Sequence, residues 1–160
     1  MKSIMIAVLA MAGIAGTQGE NDPAVEVVRK ATERFGNFQV AHAEGWTVAL
    51  TGCMESDEGG MGYHLANETF LGDGGQLDPT TPEVLLYEPR ADGSLTLVGV
   101  EYLVPFADWA GAQAPVFMDR EMIPNKDFGV WTLHLWLVDN PSGTYVGWNP
   151  NVSCRHAAAH

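Results

Sequence analysis

The stretch VWTLHLWLV, residues 130–138, decides how the rest of the chain is read. Apolar residues dominate it, yet His134 stands at its centre. Strand side chains alternate between two faces. Trp131, Leu133, Leu135 and Leu137 therefore share one face, and Val130, Thr132, His134, Trp136 and Val138 share the other. The leucine face suits a core packed against helices. The other face sets an imidazole between a hydroxyl and an indole, where burial is costly unless the ring finds a partner. The segment predicts a strand covered on both sides, with chemistry on one of them.

Working outward, LTLVGVEYLVP (95–105) reads as a second long strand. Alternation puts Leu95, Leu97, Gly99, Glu101 and Leu103 on one face, with Glu101 in mid-strand beside the space left by Gly99. RADGS (90–94) carries an Asp-Gly pair that marks a tight hairpin turn back to the strand VLLYEP (84–89). MGYHLAN (61–67) reads as a shorter strand with His64 in its middle, and TYVGW (144–148) as another after the turn DNPSG. Segments 51–61, 72–83 and 106–128 read as loops. Upstream, Asp22 is an N-cap with Pro23 at the first helical position, and Val25, Val28, Ala31, Thr32 and Phe35 form one apolar stripe. A shorter helix, 38–44, stops at Gly45. Helices followed by antiparallel strands predict an α+β fold: N-terminal helices on one face of a curved, mainly antiparallel sheet of four to five strands, closing toward a barrel.

The chain has 160 residues and a formal net charge of −12. One domain, 20–160, accounts for that length after an N-terminal leader. The acidic surface repels phosphate backbones and anionic lipid, which argues against nucleic-acid and membrane-surface roles. The opening MKSIMIAVLAMAGIAGTQG places one Lys before an apolar run that gives way to small and polar residues. That is the layout of a secretory signal peptide, 1–19, too short to span a bilayer, and it predicts export to a periplasm or the extracellular space. Two cysteines, Cys53 and Cys154, in an exported chain predict one disulfide. Closing a loop of about 100 residues would stabilise the fold by roughly 4–5 kcal/mol in the chain-entropy model.

Three strands thus each carry one ionisable group in mid-strand: His64, Glu101 and His134. Facing a common space, two imidazoles and a carboxylate suit a divalent metal with open positions, zinc, copper or iron, and a metal-dependent enzyme is one use of such a site. The same set also suits acid–base chemistry on a small organic ligand. Tyr63, Tyr87, Tyr102, Thr132 and Trp136 are candidates to line the pocket. Two other readings stay open: a non-enzymatic module that holds a small ligand, and a structural protein whose buried His–Glu network only secures the sheet.

The remaining signals are weaker. His42 and Glu44, two apart on a helix, do not share a face. His156 and His160 lie in the tail. GDGGQLDP (72–79) has acidic and glycine residues without the spacing of a calcium loop. The sequons at Asn67 and Asn151 matter only in a eukaryote. No nucleophile elbow, phosphate loop, dinucleotide fingerprint or haem-attachment motif occurs.

The pieces GYHLAN, PEVLLYEP, VEYLVP, LHLW, NPSG and NPNVSC, in that order, resemble a family of small exported bacterial proteins of uncharacterised function. The resemblance covers residues 24–154. It implies export and a shared fold, with the Tyr-His and Leu-His pieces belonging to the common pattern, and it carries no activity.

Overall fold

The computed structural model describes residues 22–158; the leader read in 1–19 and His160 lie outside them. Helix α1 (Pro23–Thr32) starts where its signals say it should, the Asp22 carboxylate accepting from the Ala24 N–H at 2.9 Å. The apolar stripe runs past it into a tighter 3₁₀ turn, Glu33–Gly36, which buries Phe35. Asn37 caps α2 (Phe38–Ala43), and the chain turns at Gly45, whose φ is +109°.

The strands are β1 (Trp46–Ala49), β2 (Met54–Ser56), β3 (Gly59–Asn67), β4 (Val84–Pro89), β5 (Leu95–Pro105), β6 (Val116–Phe117), β7 (Arg120–Glu121), β8 (Ile123–Asn125) and β9 (Val130–Trp136), with a one-turn helix α3 (Glu68–Leu71) after β3. The main sheet runs β1-β3-β4-β5-β9-β8, with β2 added on β3, and every pairing is antiparallel. β6 and β7 form a separate hairpin. The Asp92-Gly93 turn closes β4 on β5, with Arg90 N–H donating to the Ser94 carbonyl.

Four expectations need correction. The sheet has seven strands, because three short ones lie in segments the apolar pattern does not mark: β1 before the 51–61 loop, β2 within it, and β8 within 106–128. It does not close into a barrel, since β1 and β8 remain edges. TYVGW is a series of turns, and only the adjacent Asn149 forms a bridge, with Gly60. Finally, β5 does not keep one phase. Leu86 pairs with Gly99 but Tyr87 pairs with Leu97, so Val98 is an extra residue. That bulge moves Leu95 and Leu97 to the helix side and leaves Gly99, Glu101 and Leu103 on the other.

Two cores follow from the two faces. On the helix side, Val25, Val28 and Phe35 pack with Leu85, Tyr87, Val100, Tyr102, Leu133 and Leu135. On the far side, Ala66, Val84, Leu86, Leu103 and Trp136 pack with Val152 from the C-terminal segment. The Cys53–Cys154 disulfide forms as expected, linking residues 101 apart in sequence. Among the described residues no helix is long and apolar enough to cross a membrane.

Candidate metal centre

The register brings the three ionisable groups together. Glu101 on β5 and His134 on β9 are direct cross-strand partners. His64 on β3 sits opposite Leu86 on β4, and Val84 on β4 sits opposite Glu101. His64 therefore reaches Glu101 diagonally across β4, over the small Ala66–Val84 row. His64 Nε2 lies 3.8 Å from Glu101 Oε2, and His134 Nε2 lies 3.5 Å from Glu101 Oε1. One donor atom from each residue falls within 4.8 Å of the other two. A tetrahedral zinc with ligands at 2.0–2.2 Å needs donor separations of about 3.4 Å. The separations of 3.8 and 3.5 Å from the two imidazoles to Glu101 are close to that value.

The group is buried: His64 is 5% exposed, Glu101 6% and His134 9%. Each member has an orienting neighbour. Thr132 Oγ1 donates to Glu101 Oε1. Thr51 Oγ1 lies 3.1 Å from His64 Nδ1. The Trp136 ring lies nearly parallel to His134, with centroids 6.5 Å apart, and its indole N–H donates to the Val146 carbonyl. His134 Nε2, by contrast, is buried with no hydrogen-bond partner. Burial lowers the His64 pKa from the usual histidine range. The Glu101 carboxylate opposes that shift and the neighbouring His134 adds to it; the net direction favours the neutral form a metal ligand requires.

The candidate pocket residues divide between the faces. Thr132 and Trp136 stand beside the histidines. Tyr63, Tyr87 and Tyr102 do not. Tyr63 and Tyr102 adjoin His64 and Glu101 in sequence, so alternation turns them the opposite way. Tyr63 pairs with Tyr87 across β3 and β4, and Tyr87 donates its hydroxyl to the Phe35 carbonyl under the helices at 2.7 Å. Tyr102 donates to the Pro79 carbonyl at 2.9 Å. His42 and His156 are exposed and far in sequence from the group. In the glycine-rich loop, Asp73 and Asp78 accept from the backbone N–H groups of Gln76 and Thr80, which accounts for both acids as turn caps. Asn67 is buried, and its side chain caps α3.

Sequence reading missed two residues here. Thr51 sits in a bend and meets His64 only because Leu50 pairs with the His64 backbone, Leu50 N–H donating to the His64 carbonyl at 2.9 Å. Glu83, 1% exposed, accepts from the Leu103 N–H through Oε2, while its Oε1 has no partner. Burial pushes its pKa up to about 8. Nothing in the local pattern PEVLLYEP marks Glu83 as buried. Comparison with protein-family models, curated proteins and solved structures finds no match to this chain.

Proposed function

We propose that the protein binds one divalent transition-metal ion through His64 Nε2, His134 Nε2 and the Glu101 carboxylate. The observation that carries this reading is the convergence of three buried donors, from three separate strands, within 4.8 Å. The absence of a hydrogen-bond partner at His134 Nε2 and the lowered His64 pKa support it, since a metal supplies the missing partner for one and needs the other deprotonated. Two imidazoles with one carboxylate select zinc, iron or copper over calcium or magnesium. An ion held by these three residues would supply Lewis-acid or redox chemistry to a water or small ligand completing its coordination. The leader and the disulfide support the same setting, an exported domain of the family it resembles.

Metal analysis of tag-free protein tests the reading. The expected result is one zinc, iron or copper ion per chain, or stoichiometric uptake of added ion, with His64→Ala and His134→Ala each abolishing it. Wild-type protein that takes up none of the three, or variants that bind as tightly as wild type, would sink the metal site. The rival that the His–Glu group only secures the sheet would then stand.

A further inference from the structure

Resting on that metal site, we propose that Thr51 is a positioning residue for it: its hydroxyl orients the His64 ring from a segment anchored by the Cys53–Cys154 disulfide. Nδ1 of His64 faces Thr51 Oγ1 at 3.1 Å while Nε2 faces Glu101. A histidine that binds metal through Nε2 carries its proton on Nδ1, and the acceptor of that proton fixes both tautomer and ring plane. Here the acceptor is the Thr51 hydroxyl oxygen.

The segment holding Thr51 has few ties of its own. It leaves β1 after Ala49, makes the Leu50–His64 backbone bond, and bends through 51–53 without ladder pairing. Its far end is Cys53, joined to Cys154. Cys154 in turn ends a strap, 149–154, that is fixed independently. Asn149 and Gly60 exchange both backbone hydrogen bonds, at 3.0 and 3.1 Å. Ser153 N–H donates to the buried Glu88 carboxylate at 3.0 Å, and Val152, 2% exposed, packs with Ala66, Val84 and Leu86 beside the histidines. The glycine at 60 is required for this approach, since a Cβ there would stand 2.6 Å from the Val152 carbonyl oxygen. The strap is thus a fixed post on the histidine face. The disulfide ties the Thr51 bend to that post.

The test is the affinity of tag-free full-length protein for zinc ion, with cobalt(II) absorption as a spectroscopic check on ligand geometry. Thr51→Val keeps the shape and removes the acceptor; it is expected to weaken binding about 10- to 100-fold, the usual effect of losing such a partner. Thr51→Ser restores the hydroxyl and is expected to return affinity to within a few-fold of wild type. Removing the bridge in Cys53→Ala/Cys154→Ala is expected to weaken binding in the Thr51 background and to add little in the Thr51→Val background. Equal affinities for wild type and Thr51→Val, or failure of Thr51→Ser to rescue, overturn the positioning role. Additive losses from bridge and hydroxyl overturn the coupling. If the cysteine-free chain does not fold, the Thr51 pair decides, because both variants keep the disulfide. Wild-type protein that takes up none of zinc, iron or copper is the separate result that removes the site itself.

Discussion

The two faces of the sheet bury polar groups in opposite ways. On the helix side, the fully buried Tyr87 and Tyr102 donate their hydroxyls to the Phe35 and Pro79 carbonyls, amid apolar contacts. On the far side, His64, Glu101 and His134 point at one another and leave His134 Nε2 without a hydrogen-bond partner. The first face is finished as it stands. The second is not, and an unfinished buried polar group is destabilising by about 1–3 kcal/mol. A fold tolerates that where the group has work to do elsewhere.

Substitutions can break this contrast, and the largest effect belongs to the helix side. Leu85 is fully buried beneath α1 and α2, and Leu85→Ala is expected to cost about 2–5 kcal/mol in urea unfolding of metal-free protein. A loss below about 1 kcal/mol would show that this face is loosely packed.

Glu83 comes next, beside the histidine face through its bond to Leu103. Its carboxyl has an ordinary pKa of 4.5 in the unfolded chain and about 8 in the folded one. Below the lower value both states hold the proton, and the unfolded chain alone releases it between the two. Stability should therefore be greatest at the acid end of this window and decline as pH rises through about 8. Glu83→Gln keeps an acceptor for the Leu103 N–H and should abolish the decline, a difference on the order of a few kcal/mol at the alkaline end. Parallel pH–stability curves for variant and wild type would show that Glu83 ionises at its ordinary pH.

The smallest change is expected at the group itself. In metal-free protein, His64→Leu/Glu101→Leu/His134→Leu should leave stability within about 1 kcal/mol of wild type or raise it, since apolar residues of similar volume avoid the desolvation of a buried polar cluster. A loss of several kcal/mol would mean that the cluster secures the sheet, and the two faces would then differ less than their chemistry suggests.

How much of this was legible in the sequence follows from where alternation holds. It holds along β9 and through the second half of β5, and there residue order alone places Thr132, His134 and Trp136 on one face and Glu101 on the matching face of its strand. The same rule turns Tyr63 away from His64 and Tyr102 away from Glu101, so strand parity already removes those tyrosines from the pocket. Alternation fails at Val98, because a bulge depends on the partner strand and leaves no mark in LTLVGVEYLVP. Strands as short as β2 and β8 offer too few residues for a period to show, and tertiary pairing alone makes them strands. The meetings of Thr51 with His64 and of Glu83 with Leu103 join distant segments, which no local pattern encodes.

The open edges of the sheet bear on how copies of the chain meet in solution. An exposed edge is a template for a further strand from a neighbour, and so for aggregation. At one end β8 is three residues long with Pro124 at its centre, a residue that has no N–H to offer an incoming strand. At the other, β1 is four residues long with an irregularity between Trp46 and Val48, and β2, beside it on β3, is three residues long with one between Met54 and Glu55. Neither edge presents the long, regular ladder that edge-to-edge growth needs. The failure to close into a barrel thus leaves the sheet open without leaving it sticky.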